Sequence, residues 1–289
     1  MPTTTQLGDI SITRIVEQQA PLFDALTFLP DLTPELLAEH SHWLAPDALD
    51  PASGKLILAI QSYLVRTPHH TILVDTCVGN DKTLPAHAFW HQQKSTAYMR
   101  QLAEAGVGVE DIDYVMCTHL HVDHVGWNTR LENGRWVPTF PKAKYLFADK
   151  ELAYWTAKHA ETPNPIFAES VLPIVSAGRT QAITSSSALN DHVRLEPTPG
   201  HTPDHYAVQL GRGSTSAVLS GDLIHSPIQL RFPDISMRAD TDRAQSAQTR
   251  RRFLECYCDT ETLVCTAHFP SPSMGKVRRS AEGFKFAAE

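Results

Sequence analysis

The stretch His119-Leu120-His121-Val122-Asp123-His124 decides how this chain is read. Four of its six residues carry an imidazole nitrogen or a carboxylate oxygen, the borderline and hard donors that zinc, manganese and iron accept. In an extended turn His119 and His121 point the same way by the two-residue period, while Asp123 and His124 can turn towards a neighbouring position. One loop can therefore begin two metal sites. A second HxH, His40-Ser41-His42, lacks both the following acids and a preceding strand and reads as surface histidines.

The surroundings strengthen the reading. Residues 114–117 form a short apolar strand that delivers Thr118 and His119 at its C-terminal end. Before it, residues 56–65 and 71–75 read as two strands joined by a turn around Pro68-His69-His70, and residues 95–105 read as an amphipathic helix that stops at Gly106. Further strands are expected at 144–147, 193–197, 206–210, 215–219 and 263–266, with helices at 150–158 and 242–256. Strands and helices mix in both halves, which fits a layered α/β sandwich with sheets inside and helices outside. Asp75, His119, His201, Asp222 and His268 each fall at or shortly after the end of an apolar strand, where rigid scaffolds present chemistry.

No repeat, low-complexity tract or long linker divides the chain, so residues 1–289 are expected to form one domain, with residues 1–53 as an irregular, Pro-rich N-terminal arm. Thr33-Pro34-Glu35 in that arm supplies the cap, first-turn proline and first-turn acid of a short helix. Its apolar residues Phe23, Leu26, Phe28 and Leu29 can cover the chain's own pocket or a partner subunit in a homodimer.

Twenty-five basic against 32 acidic residues leave a formal charge of −7, without the basic excess that drives binding to phosphate backbones. A small-molecule substrate is the expected partner, with neither nucleic acid nor membrane. Residues 1–16 lack a basic region followed by an apolar stretch, and no run approaches the roughly 18 apolar residues of a membrane span. The expected location is the cytoplasm. Five unevenly spread cysteines, Cys77, Cys117, Cys256, Cys258 and Cys265, do not make a disulfide framework. Cys256-Tyr257-Cys258 reads as two thiols late in an Arg-rich helix.

From residue 62 onwards the chain resembles the metallo-β-lactamase fold superfamily. The resemblance is carried by HxHxDH at residues 119–124, Asp75 in ILVDT, His201 in TPGHTPDH, Asp222 in LSGDLIH and His268 in CTAHFP, in the family's order. It implies a four-layer αββα sandwich and two divalent metal ions, with zinc the default and manganese, iron or cobalt acceptable to the same donors. His119, His121 and His201 would hold the first ion, Asp123, His124 and His268 the second, and Asp222 would bridge them. Asp75 is expected to orient the ligand loop by hydrogen bonding. Gly200 and Gly221, each just before a ligand, suit tight turns.

Two such ions make hydroxide available at neutral pH, so the expected nucleophile is a metal-bridging hydroxide, with Asp123 or Asp222 guiding the proton. No GxSxG elbow offers a covalent route. Within the superfamily the tail AHFPSPSMGKVRRSAEGFKF and the SGDLIH element resemble the branch of methyl parathion hydrolase and acyl-homoserine lactonases. That implies hydrolysis of an ester, lactone or phosphotriester. Lactonases of that branch commonly carry a tyrosine three positions after the bridging Asp, where this chain has His225, either a proton donor or a packing residue. Phe89, Trp90, Trp127 and Phe232, in expected loops, suggest an apolar pocket for an acyl or aryl group. Glyoxalase-II-like thioesterases share the ligand set but usually continue it with two glycines, where Gly126-Trp127 stands here. An iron-dependent sulfur dioxygenase or a non-catalytic metal-binding protein is also compatible with histidine and aspartate donors.

Overall fold

Apolar runs bounded by turn residues become strands, and the periodic stretches between them become helices. The computed structural model describes residues 2–214 and 216–288. Contacts divide the chain into two compact units, Met1–Gln18 with Ile60–Thr184 and Gln19–Ala59 with Ser185–Glu289.

A seven-stranded sheet runs in the order Thr4–Leu7, Ile10–Asp24, Lys55–Arg66, Thr71–Val74, Tyr114–Met116, Lys144–Ala148, Thr180–Ile183. Its last four strands, all in the first unit, are parallel, with Val74 opposite Met116 and Met116 opposite Leu146. The first three of these are buried almost throughout, as expected of parallel strands covered on both faces, while Thr180–Ile183 at the sheet's edge is only partly buried. Parallel pairing brings their C-terminal ends to one edge, the usual position for a site in an α/β sheet. Asp75 and the run leading to His119 leave from that edge.

The second unit is built on a six-stranded sheet ordered Val193–Pro197, Tyr206–Leu210, Ala217–Leu219, Leu263–Cys265, Met274–Arg279, Phe284–Ala288. The third and fourth strands are parallel, and the first reaches the third through two antiparallel pairings. All three therefore run the same way and end at the same edge, from which His201, Asp222 and His268 emerge. Beneath them helix Arg243–Tyr257 buries Ser246, Thr249, Arg250, Phe253, Leu254 and Tyr257, one face at three- and four-residue spacing. Phe253, Leu254 and Tyr257 join Val218, Val264, Val277 and Phe284 in the core.

Most expected elements are present with ends shifted by one to three residues. The helix expected at 150–158 spans Asp149–Glu161, and the strand expected at 215–219 is Ala217–Leu219, its expected first residue Thr215 lying outside the described residues. The main difference is N-terminal. Residues expected to form an irregular arm include strands Thr4–Leu7 and Ile10–Asp24, the latter 15 residues long. Ile10, Ile12 and Ile15 are buried hydrophobic side chains, while Arg14 and Glu17, which broke the apolar pattern, are also buried. The expected helix after Thr33 is Pro34–Leu44, capped by the Thr33 hydroxyl on Leu36 N–H. It puts His40 on its buried face with Leu44. His40 is thus no surface residue: it accepts from Trp43 Nε1 at 3.1 Å and packs on Phe232. Phe28 and Leu29 are buried, and Phe28 stacks on Phe23 within the second unit.

Candidate metal centre

In the first unit the chain leaves strand Tyr114–Met116 and turns at once into the donor-bearing loop. His119 is fully buried and its ring lies 4.6 Å from that of His121 and 4.1 Å from that of His124. Helix Val122–Val125 turns Asp123 and His124 out of the extended segment, with Asp123 Oδ1 3.8 Å from His124 Nε2. All four donors of the motif thus lie on one turn of the chain, with His119 and His124 buried and His121 and Asp123 partly exposed.

Asp75 holds this loop in place. Its carboxylate accepts Thr118 N–H at 2.8 Å, the Thr118 hydroxyl and His124 Nδ1–H at 2.9 Å. A proton on Nδ1 leaves the Nε2 lone pair of neutral His124 for a metal. Asp75 itself has φ 59°, a left-handed conformation that costs a non-glycine residue about 1 kcal/mol or more. The loop that follows clamps the end of the motif: Thr76 N–H donates to His124 O, Gly126 N–H to Cys77 O and Trp127 N–H to Thr76 O. Buried Glu151 accepts Leu120 N–H and Trp155 Nε1–H.

In the second unit the Asp222 carboxylate faces three imidazoles. His268 Nε2 lies 2.8 Å from Oδ1, and His225 Nε2 and His201 Nε2 lie 3.1 and 3.3 Å from Oδ2. Asp222, His225 and His268 offer ligand atoms within 4.8 Å of one another. His268 Nδ1 donates to the Ala59 carbonyl at 2.9 Å and His201 Nδ1 to Asp240 at 2.7 Å. The neutral forms of these two rings therefore aim Nε2 lone pairs at a carboxylate. Lone pair against carboxylate is an arrangement that a cation satisfies, so these residues fit a metal. His225 differs, because its buried Nδ1 has no hydrogen-bond partner among the described residues. Its proton belongs on Nε2, where Asp222 accepts it. Burial pushes His225 down to about 4 although the Asp222 charge pulls the other way, so the ring is a neutral donor at physiological pH. It stacks parallel to His268 with centroids 5.3 Å apart.

Several supporting residues carried no local sequence signal. His205 accepts Asp222 N–H at 2.9 Å on Nε2 and donates from Nδ1 to the Thr198 hydroxyl, fixing the backbone of Asp222. Gln229 accepts His225 N–H at 2.8 Å. Asp240 orients His201; burial pulls its carboxyl upwards most strongly of any single cause, but the His201 bond, nearby imidazole charge and the Met237 N–H together hold it at about 2. Gly200, with φ 130°, lets the His201 turn lie on helix Arg243–Tyr257: a Cβ there would stand 2.3 Å from Ser246 N.

The aromatic residues expected in a substrate pocket are divided differently. Trp127 is buried, donates to Glu17 at 2.6 Å and stacks on Tyr98, and Trp90 is buried and donates to Gln18. Both pack the interior of the first unit. Phe232 packs on His40, and Phe89 alone of the four is well exposed, at 44%. Glu17, which receives Trp127, also accepts Val78 and Gly79 N–H, and burial pushes its carboxyl up to about 7. Cys256 is exposed at the end of its helix, all five cysteines are free thiols, and no helix among the described residues is long and apolar enough to cross a membrane.

Known proteins share this framework. An N-acyl homoserine lactonase from Bacillus sp is 27% identical over 177 residues, 57% of this chain and 64% of the relative, so the chain spans just under two thirds of that protein. Among solved structures, AidC, described as a dizinc quorum-quenching lactonase in complex with a product, superposes with a TM-score of 0.81 at 23% identity, covering 100% of this chain and 97% of that one. The hydrolase AbOPH of the beta lactamase superfamily gives the same TM-score and coverage at 20% identity. These likenesses show a shared mixed α/β fold. The model of the metallo-beta-lactamase superfamily matches residues 57–268, nearly the whole ligand-bearing stretch, and the chain belongs to that superfamily.

Proposed function

We propose that this protein is a metal-dependent hydrolase that opens a lactone or cleaves a related ester or phosphotriester bearing a hydrophobic acyl or aryl group. The observation that carries the reading is the Asp222 carboxylate with three imidazole Nε2 atoms at 2.8, 3.1 and 3.3 Å, two of the rings oriented through Nδ1. By the order of the superfamily's motif, His119, His121 and His201 are assigned to one ion, Asp123, His124 and His268 to a second, and Asp222 to both. The all-His/Asp donor set suits zinc, and the relative described as dizinc supports that choice.

The ions those residues would hold would supply an acidified water and polarise the substrate oxygen. This chain's own residues do the rest. Asp123, part exposed beside His124, takes the proton released on attack. Asp222 keeps the imidazoles at fixed spacing, and with its carboxylate taken up by the ions the neutral His225 ring would be free to turn its Nε2–H towards the oxygen that becomes charged. A lactone is favoured among the substrates because the Bacillus relative and AidC are both named as lactonases.

The test is a substrate panel on protein of measured metal content: acyl-homoserine and other γ-lactones, aryl esters, phosphotriesters, a glutathione thioester, a β-lactam and a persulfide. Turnover of a lactone or ester, lost on chelation and restored by zinc, is expected with two ions per chain. Activity on the thioester alone would make the chain a thioesterase, and persulfide oxidation with one iron would replace hydrolysis altogether. Full metal content without turnover of any compound would leave a binding protein.

A further inference from the structure

Arg250 is among the largest fully buried side chains of the molecule. Burying a guanidinium is costly unless its donors are used, and here they are. Nε donates to Leu223 O at 2.7 Å, Nη1 to Pro233 O at 2.7 Å and Ile235 O at 2.9 Å, and Nη2 to the Ser246 hydroxyl at 3.1 Å. Nη2 also lies 3.7 Å from Asp240 Oδ2. An apolar side chain would fill the same space with less desolvation, so a charged fork at this position calls for directed bonds.

The bonds converge on two candidate ligands. Leu223 directly follows Asp222, and Asp240 is the acceptor of His201 Nδ1–H. The peptides of Thr241 and Asp242 donate to His201 O and Gly200 O, so the Asp240 segment also carries the backbone of the His201 turn. That turn rests on Ser246 of the same helix through Gly200.

We propose that Arg250 is a positioning residue. Through Asp240 it orients His201, and through the Leu223 carbonyl it holds the segment bearing Asp222, so one guanidinium on helix Arg243–Tyr257 sets the spacing of the two ligands. Lysine cannot replace it, since a single ammonium cannot reach carbonyls on both sides and a carboxylate at once. The inference rests on the metal reading above and assigns Arg250 no contact with substrate.

The experiment measures zinc affinity by competition with a chromophoric chelator for Arg250→Lys, Ser246→Ala, Asp240→Asn and His201→Ala, each verified as folded by circular dichroism. The His201 Nδ1–H proton resonance is recorded in the zinc-free protein. Arg250→Lys is expected to weaken one of the bound ions about tenfold or more and to move that resonance, with the fold retained. A folded Arg250→Lys with wild-type affinity and an unmoved resonance overturns the proposal. If Arg250→Lys does not fold, Ser246→Ala decides, because it removes an acceptor that holds the guanidinium and touches neither ligand: weaker zinc with a moved His201 resonance supports the proposal, and wild-type affinity with an unmoved resonance overturns it, with Asp240→Asn giving the size of the effect when the His201 bond itself is weakened. His201→Ala that still binds zinc like the wild type sinks the metal reading itself.

Discussion

His124 Nδ1 and Asp75 Oδ2 lie 2.9 Å apart, both side chains almost completely buried. The same carboxylate accepts Thr118 N–H, so Asp75 ties the entrance of the donor loop to its exit. Asp75→Ala leaves two buried donors without their acceptor and frees the His124 ring. We expect a 10- to 100-fold loss of metal affinity or turnover, together with destabilisation of about 1–3 kcal/mol for the unpaired donors. Metal titration and urea unfolding of the variant check both.

Gly126 follows the motif by two positions and has an ordinary helical φ of −60°. A Cβ there would stand 1.8 Å from Val78 O, so the constraint is steric and comes entirely from the clamping loop. Gly126→Ala is expected to destabilise the protein by about 3 kcal/mol, the upper end of overpacking costs, measured as a lowered urea midpoint. A shift of a few tenths of a kcal/mol would mean the loop gives way.

Glu17 supplies a pH dependence. Burial raises its carboxyl from the usual range to about 7, against three N–H donors that favour the ionised form, with the charge of Asp123 adding to the rise. The unfolded chain releases this proton near 4.5, while the folded chain keeps it until about 7. Stability from this group is therefore present below pH 4.5 and lost as pH rises to 7, by up to about 3 kcal/mol. Urea unfolding of wild type and Glu17→Gln across that window is expected to differ in slope. Parallel curves would contradict it.

The His225 ring stacks on His268 and meets the edge of Phe28 at 5.6 Å, so His225→Phe keeps a flat ring there but removes the Nε2–H that Asp222 accepts. With the neutral His225 ring acting as a hydrogen-bond donor to the oxygen that becomes charged, kcat falls by about 10²- to 10³-fold while zinc content and thermal stability change little. Unchanged kcat assigns the ring to packing alone.

The reach of the sequence differs from residue to residue. His119, His121, Asp123 and His124 stand within six positions, and their donor chemistry and local spacing are enough to nominate a metal loop. Strands before Asp75, His201, Asp222 and His268 were visible as apolar runs, and Thr33 as a cap. The N-terminal strand was hidden because Arg14, Glu17 and Gln18 interrupt its apolar pattern, and their bonds to Gln61, Val78 and Trp90 exist only after folding.

The same divide runs through the candidate centre. Motif chemistry nominated the donors, yet the partners that orient them are remote: Asp240 lies 39 residues from His201, and the Ala59 carbonyl lies 209 residues from His268. A backbone carbonyl leaves no mark in a sequence, and a buried Arg250 reads as one more charge on an Arg-rich helix. Six residues of local chemistry were sufficient to nominate His119, His121, Asp123 and His124 as metal donors. Which nitrogen His124, His201 and His268 each offer was decided by hydrogen bonds between distant segments, because a tautomer is set by whatever the fold places against the other side of the ring.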